Sequence, residues 1–281
     1  MGVKLAVAAA TAAAAATAAG AIAVSPLDAG AHFLLGRQLA NGGFAEPGRP
    51  AYPQLTAWSA LALAAVRSDR NLPALKYLFA HEDELRTAPD VALGLLSEAV
   101  LMDDTHLVER LRGFARASGA FGPTVNGTIW SVIALRQARA TVPRTTVRWL
   151  LRRQARSGGW SWLGGGAPDS NDTAAAVQAL RSVGVNGAPI RRALRFLGRF
   201  RNSDGGFELT LGRGSDAQST AWAVQAFLAA GKPPPRGALA YLRRLQRRNG
   251  SFRYSVRYTT TPVWVTAQVL PALARKPFPL R

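Results

Sequence analysis

The sequence predicts an all-α chain, an α/α toroid of about six helical hairpins with Arg-rich helices outside and Ala-rich helices inside. Three observations lead there. A glycine-punctuated pattern recurs: Phe33-Leu34 before Gly42-Gly43-Phe44, Trp149-Leu150 before Gly158-Gly159-Trp160, Phe196-Leu197 before Gly205-Gly206-Phe207, and Tyr241-Leu242 before Gly250-Ser251-Phe252. In each copy the first aromatic stands eleven positions ahead of the last, and a fainter copy runs from Arg110-Leu111 to Gly119-Ala120-Phe121. Each unit also joins an amphipathic segment to one that is apolar nearly all round, so one half faces water and the other is buried on both sides. Finally, neither end carries a polar capping repeat and no long linker divides the chain, which suits a ring better than an open stack.

The elements follow in order. Lys4, the uninterrupted Ala, Val, Leu and Thr run from Leu5 to Ala19, and Ala21-Ile22-Ala23 read as a signal peptide over residues 1–23. The mature chain, 24–281, is expected to form one toroid domain, secreted or extracytoplasmic. An uncleaved membrane anchor is the alternative, though the run is short and Ala-dominated for a bilayer span. Hairpins are expected at 28–66, 72–102, 106–139, 143–184, 189–231 and 236–274. In the fourth, Val147, Leu150, Leu151 and Gln154 share one helical side, and Arg148, Arg152 and Arg153 take the other. Gly158 and Gly159 then stop the helix, since glycine readily adopts the left-handed conformation after a C-terminus. The inner helices are expected to begin at Thr56, Thr128, Asp172, Ser219 and, more loosely, Thr261, with Asp, Ser or Thr as N-cap. The second hairpin is degenerate: residues 89–101 supply its inner helix, but its first half lacks the glycine turn.

Charge and composition exclude several classes. The 281 residues hold 35 Lys plus Arg against 16 Asp plus Glu, a formal net charge of +19, and no cysteine. Without cysteine there are no disulfides, thiolate zinc sites or cysteine nucleophiles. The arginines recur four apart (Arg144, Arg148, Arg152, Arg156; Arg191, Arg195, Arg199; Arg243, Arg247; Arg244, Arg248), which makes stripes on solvated outer faces. No aromatics interleave with them as a single-strand groove requires, so no specific nucleic-acid partner is expected. An anionic wall polymer or membrane surface remains a possible partner through this face. There is no G-x-S-x-G elbow, and the Gly164-Gly165-Gly166 run precedes Pro168 in a turn rather than opening a phosphate-binding helix.

The unit Phe/Trp-Leu-x-x-x-Gln followed by Gly-Gly-Phe/Trp, carried by Phe33…Gln38…Phe44, Trp149…Gln154…Trp160 and Tyr241…Gln246…Phe252, resembles the QW repeat of the prenyltransferase and squalene-cyclase superfamily. In the fifth repeat Arg201 replaces the Gln. The resemblance implies an α/α toroid with a central cavity lined by the second helix of each hairpin. It is weaker for activity, because that fold also serves complement thioester domains and cobalamin carriers. Asp169-Ser170-Asn171-Asp172-Thr173-Ala174 looks like the D-x-D-D-T-A signature of class II terpene and squalene cyclases, whose middle Asp protonates an alkene or epoxide. Here that position is Asn171, and an amide cannot donate such a proton. Asp169 and Asp172 remain as catalytic candidates, against the plainer reading that Asp172 caps an inner helix and Asp169 bonds its loop. The Asp, Cys and His zinc set of the protein prenyltransferases has no counterpart. The chain has only His32, His81 and His106, in unmatched positions, so no metal or cofactor is expected.

Trp58, Trp130 and Trp222 each lie two positions after a Thr of an inner helix, and Trp264 lies near that register. Parallel inner helices would gather these rings near one mouth, beside Asp169, Asp172 and Asp216 at helix N-termini. Tyr254, Tyr258 and Trp162 would come from adjoining loops. The expected ligand-binding set is therefore Trp58, Trp130, Trp222, Trp264, Asp216 and Tyr258, unless the tryptophans simply fill the ring. The expected function is capture of a bulky apolar or amphipathic small molecule, isoprenoid-like or corrinoid by the resemblance, without proton-initiated cyclisation. The alternatives are a cyclase-like enzyme using Asp169 or Asp172, and a polyanion-binding wall module.

Overall fold

Twelve helices follow one another through residues 25–66, 71–102 and 104–280, the part of the chain that the computed structural model describes. The expected signal peptide, residues 1–23, lies outside it. The odd-numbered helices are α1 (Pro26–Leu35), α3 (Leu72–Ala80), α5 (Leu107–Arg112), α7 (Arg144–Arg152), α9 (Ala188–Gly198) and α11 (Ala238–Arg244). The even-numbered ones are α2 (Pro53–Val66), α4 (Ala88–Leu101), α6 (Val125–Gln137), α8 (Ser170–Ser182), α10 (Ala217–Ala229) and α12 (Pro262–Leu273). No strand forms among the described residues; only isolated antiparallel bridges occur. The even helices pack in sequence, α2 on α4, α4 on α6 and so on, and α12 returns to pack on α2. The ring closes at six hairpins, as the sequence predicts.

The burial pattern explains the two layers. The even helices are buried along nearly their whole length, and α2, α8 and α10 are rich in Ala. The odd helices bury a single stripe, such as Ile190, Ala193, Phe196 and Leu197 of α9. Every arginine of the predicted four-residue stripes is exposed on the outside.

The repeat motif has a mechanical meaning. Gln38, Gln154 and Gln246 each donate one side-chain hydrogen bond to a glycine carbonyl of their own turn, at 2.8, 2.8 and 3.1 Å. Each donates a second to the start of the next odd helix: Asn71 Oδ1 at 2.9 Å, the Pro189 carbonyl at 2.9 Å, and the Pro26 carbonyl at 2.7 Å. The last bond joins the end of the ring to its beginning. The aromatic that follows each turn donates its backbone N–H to a threonine hydroxyl in the even helix: Phe44 to Thr56, Phe121 to Thr128, Trp160 to Thr173, Phe207 to Thr220 and Phe252 to Thr266, all at 2.8–3.0 Å.

That role corrects the expected helix starts. Thr56 and Thr128 are fourth in their helices, and Asp172 and Ser219 are third, rather than at the caps; Thr261 alone stands at the cap position, of α12. The N-caps are Thr124 on α6, Asp169 on α8 and Asp216 on α10, each accepting the backbone N–H three residues on. The polar first turns Val125-Asn126-Gly127 and Ser170-Asn171-Asp172 resemble loop in the sequence, yet their amides are already helical.

Candidate functional site

All six even helices point their N-termini to the same side of the ring, and a cavity of about 520 Å³ opens there. Its wall follows from the threonine register. The residues two positions before the threonine form an upper ring: Gln54, Asn126, Asn171, Gln218 and Trp264, with Pro89 at the matching place in α4. Those two positions after it form a lower ring: Trp58, Trp130, Ala175, Trp222 and Gln268, with Leu93 in α4. Positions four apart share a helix face, so both rings look inward. Four amides thus stand above three tryptophans. In the sixth repeat the order is inverted, Trp264 above and Gln268 below.

The floor is a packed aromatic cluster. Trp58 meets Trp130 and Trp222 edge-on at centroid distances of 5.1 and 5.9 Å, and Trp130 meets Trp222 at 5.5 Å. Phe278, from the segment after α12, enters from below and touches all three at 5.7–5.9 Å. Its backbone N–H donates to Gln178 Oε1 of α8 at 2.8 Å. The tryptophans therefore both fill the middle of the ring and line the cavity above it. Phe278 has no signal in the sequence, because it belongs to no repeat.

The polar chemistry concentrates at the start of α8. Asp169 accepts from the backbone N–H of Asp172 at 2.8 Å, so Asp169 is the cap and Asp172 is not. Freed from capping, the Asp172 carboxyl faces the cavity, where Asn126 Nδ2 donates to its Oδ1 at 2.7 Å. Burial, then the neighbouring Asp169 charge, pushes Asp172 up to about 8. Burial raises Asp169 as well, against the backbone N–H it accepts from Asp172. Burial thus favours the protonated form of Asp172, whose side chain hydrogen-bonds the Asp169 carboxylate beside it. Raising the pKa also makes it a weaker acid, the opposite of what alkene protonation demands.

Two expected ligand-binding residues lie elsewhere. Asp216 is buried at the head of α10, where it accepts from the Ser219 backbone N–H at 2.7 Å and the Ser219 hydroxyl at 2.8 Å; it caps a helix and does not line the cavity. Tyr258 stands on an exposed loop, outside the lining. Trp162 does line it, at the rim. Gln54, Asn126, Gln218 and Gln268, and Asp90 of α4, also line the cavity without having been expected, although the two-residue offset of the amides from each threonine was legible. No Lys, Arg or His is among the lining residues of this +19 protein. No cluster of three or more His, Cys, Asp or Glu suited to a metal occurs among the described residues.

Comparison with solved structures places this geometry. A protein from Actinoplanes superposes with a TM-score of 0.71 at 20% identity, covering 89% of this chain and 98% of that one. A type II terpene cyclase from Scytonema superposes with a TM-score of 0.66 at 16% identity, covering 89% and 96%. The chain has the terpene-cyclase α/α toroid fold. A variant of that cyclase has been captured with its substrate, geranylgeranyl dihydroxybenzoate. A glycosidase in complex with glucose also matches, with a TM-score of 0.62 at 14% identity over 89% and 95% of the two chains, so the toroid alone does not select a substrate. No protein-family model matches the sequence, and no curated protein does.

Proposed function

We propose that this chain is an exported binding protein that holds a compact, isoprenoid-like amphipathic molecule in the cavity at the helix N-termini, without proton-initiated cyclisation. The observation that carries this reading is the pair of rings, with amides above and tryptophans below. Asn171 stands in the amide ring, at the place where the cyclase signature carries its acid. An apolar skeleton would rest on Trp58, Trp130 and Trp222, and its polar group would meet the amides and Asp172. With no cation in the wall, a diphosphate or carboxylate head group has no ionic partner to offset its desolvation, whereas a hydroxyl or carbonyl is served by the amides alone. A cavity of about 520 Å³ is also small for a corrinoid with its nucleotide tail.

The test is titration of purified protein with neutral terpenoid alcohols and ketones, read by intrinsic tryptophan fluorescence, with mass spectrometry of whatever co-purifies. Trp222→Ala is expected to weaken capture at least tenfold. Equal affinity in that variant sinks the proposal.

A second reading is supported by position alone, the Asp169 and Asp172 carboxyls standing together in the cavity wall. In it the chain is an enzyme on a polyprenyl substrate, and Asp172 is its acid. Product formation by wild type, abolished in Asp172→Asn, would establish it. No turnover across a substrate panel removes it.

A further inference from the structure

Past the ends of α6, α8, α10 and α12 the chain makes the same turn. The backbone N–H of Ala140, Val185, Lys232 and Lys276 donates to the carbonyl five residues back, each at 2.9 Å. Such a turn holds the residue before that N–H in the left-handed conformation, where glycine is at ease and an L side chain is crowded. Gly184 (φ 84°) and Gly231 (φ 68°) take the place after α8 and α10. After α6 it is taken by Arg139 (φ 55°), and after α12 by Arg275 (φ 57°). The turn itself does not need an arginine. What Arg139 adds is a side chain, on a backbone that is strained to present it.

That side chain lines a basin of about 880 Å³ at the C-terminal ends of α6 and α8, on the side of the ring away from the mouth of the tryptophan cavity. Five arginines line it: Arg136 and Arg139 at the end of α6, Arg144 and Arg148 of α7, and Arg181 of α8. None of its lining residues is acidic. Two of the guanidinium groups are held by backbone carbonyls. Arg136 Nε donates to Ser182 at 3.0 Å, and Arg181 donates through Nε to Ala229 at 3.0 Å and through Nη1 to Val185 at 3.1 Å. Arg139, Arg144 and Arg148 are exposed. The pull of helix C-termini on cations accounts for Arg136 and Arg181. It does not account for three further arginines on the same basin, where like charges repel with no carboxylate in the lining.

We propose that this basin is a binding site for a compact anion of several charges, of the phosphate class. A guanidinium meets phosphate oxygens through two parallel N–H bonds. Five such groups exceed what a single carboxylate neutralises. Arg136 and Arg181 are already held in place, so fewer side chains must be ordered on binding. A free polyphosphate and a phosphate ester share this chemistry. The site is separate from the tryptophan cavity and does not rest on the reading of that cavity's ligand.

Isothermal titration of the full chain at about 0.15 M salt tests the proposal, with inorganic tripolyphosphate as the free anion and glycerol phosphate as the ester. One equivalent is expected to bind, and the tighter probe names the source. Arg139→Gly and Arg275→Gly remove the same charge and relieve the same turn, so both should melt roughly 1–3 °C above wild type, which shows that both fold. Arg139→Gly alone should weaken binding, roughly tenfold, while Arg275→Gly stays within about twofold of wild type. Arg148→Gln, on an ordinary helical backbone, should weaken it by a similar factor. Equal losses in Arg139→Gly and Arg275→Gly overturn the proposal, leaving only the general attraction of a chain with net charge +19. So does the absence of binding by either probe, or binding of many equivalents that Arg139→Gly does not change. Trp222→Ala should keep phosphate binding whatever it does to ligand capture, so the two proposals fail separately.

Discussion

Asp172 shows how one side chain takes its role from its neighbour. Asp169 satisfies the helix terminus, so Asp172 is left to face the cavity, short of water and beside another carboxylate. Its folded-state pKa is raised from 3.8 to about 8. Between those two values the folded state holds more protons than the unfolded chain, so this group makes stability fall as pH rises. Below about pH 4 both states are protonated and the effect is absent. Glu98, buried in α4 and pushed up to about 8 by burial and then by the Asp104 and Glu82 charges, works in the same direction. Asp172→Asn keeps an oxygen for Asn126 to donate to and removes the ionisation. The variant is expected to melt a few degrees higher than wild type at pH 8 and about equally at pH 4, which flattens but does not abolish the slope because Glu98 remains. Thermal melts across pH 4–9 decide it, and a variant less stable at pH 8 would show that Asp172 is held ionised.

At the scale of the element, the glycine turn is the part under tightest constraint. Gly158 has φ +100°, and a Cβ there would lie 2.6 Å from the Arg192 carbonyl oxygen of α9. Gly184 also has a positive φ, +84°, but nothing lies within 4 Å of its would-be Cβ. Gly158→Ala is therefore expected to cost about 3 kcal/mol, the left-handed penalty plus the displacement of a neighbouring helix, while Gly184→Ala costs about 1 kcal/mol. Equal costs in denaturant melts would mean that the approach of turn to helix does not matter. This level was the most legible in the sequence, because the aromatic, the Gln and the glycine recur at fixed offsets and each serves the same contact in each repeat. Legibility faded where a residue acts once. Phe278 closes the cavity from outside the repeats, and Asp216, placed at the rim by its register, is consumed by Ser219. The helix starts shifted by a turn because a buried first turn can be polar when its side chains face a cavity, as Asn126 and Asn171 do.

The whole molecule depends on a seam. Five of the six joints between hairpins are continuous chain, whereas the first and last repeats meet only through non-covalent contacts. Gln246 reaches the Pro26 carbonyl, Gly250 sits against Ala29 of α1, and Gly30 makes room for Leu270 of α12. Glu46 completes the seam. Its two carboxylate oxygens accept from Val263 N at 3.0 Å and Trp264 N at 2.8 Å, in the first turn of α12. That helix has no side-chain cap of its own, since Thr261 adopts a left-handed conformation there. Repeat one thus supplies the cap for repeat six, beside the tryptophan that completes the upper ring of the cavity. Burial raises the Glu46 pKa, against the two N–H groups and Arg37 that favour its charge, so part of the gain is already lost to desolvation. Glu46→Ala leaves two amides of α12 without a partner, which costs about 1–3 kcal/mol, or roughly 2–6 °C in Tm for a chain of this size. The backbone amides of Val263 and Trp264 should then exchange with deuterium faster than those at the head of α8, where Asp169 is untouched. If exchange rises equally around the ring, the toroid opens as one cooperative unit and the seam is no weaker than the joints the chain itself makes.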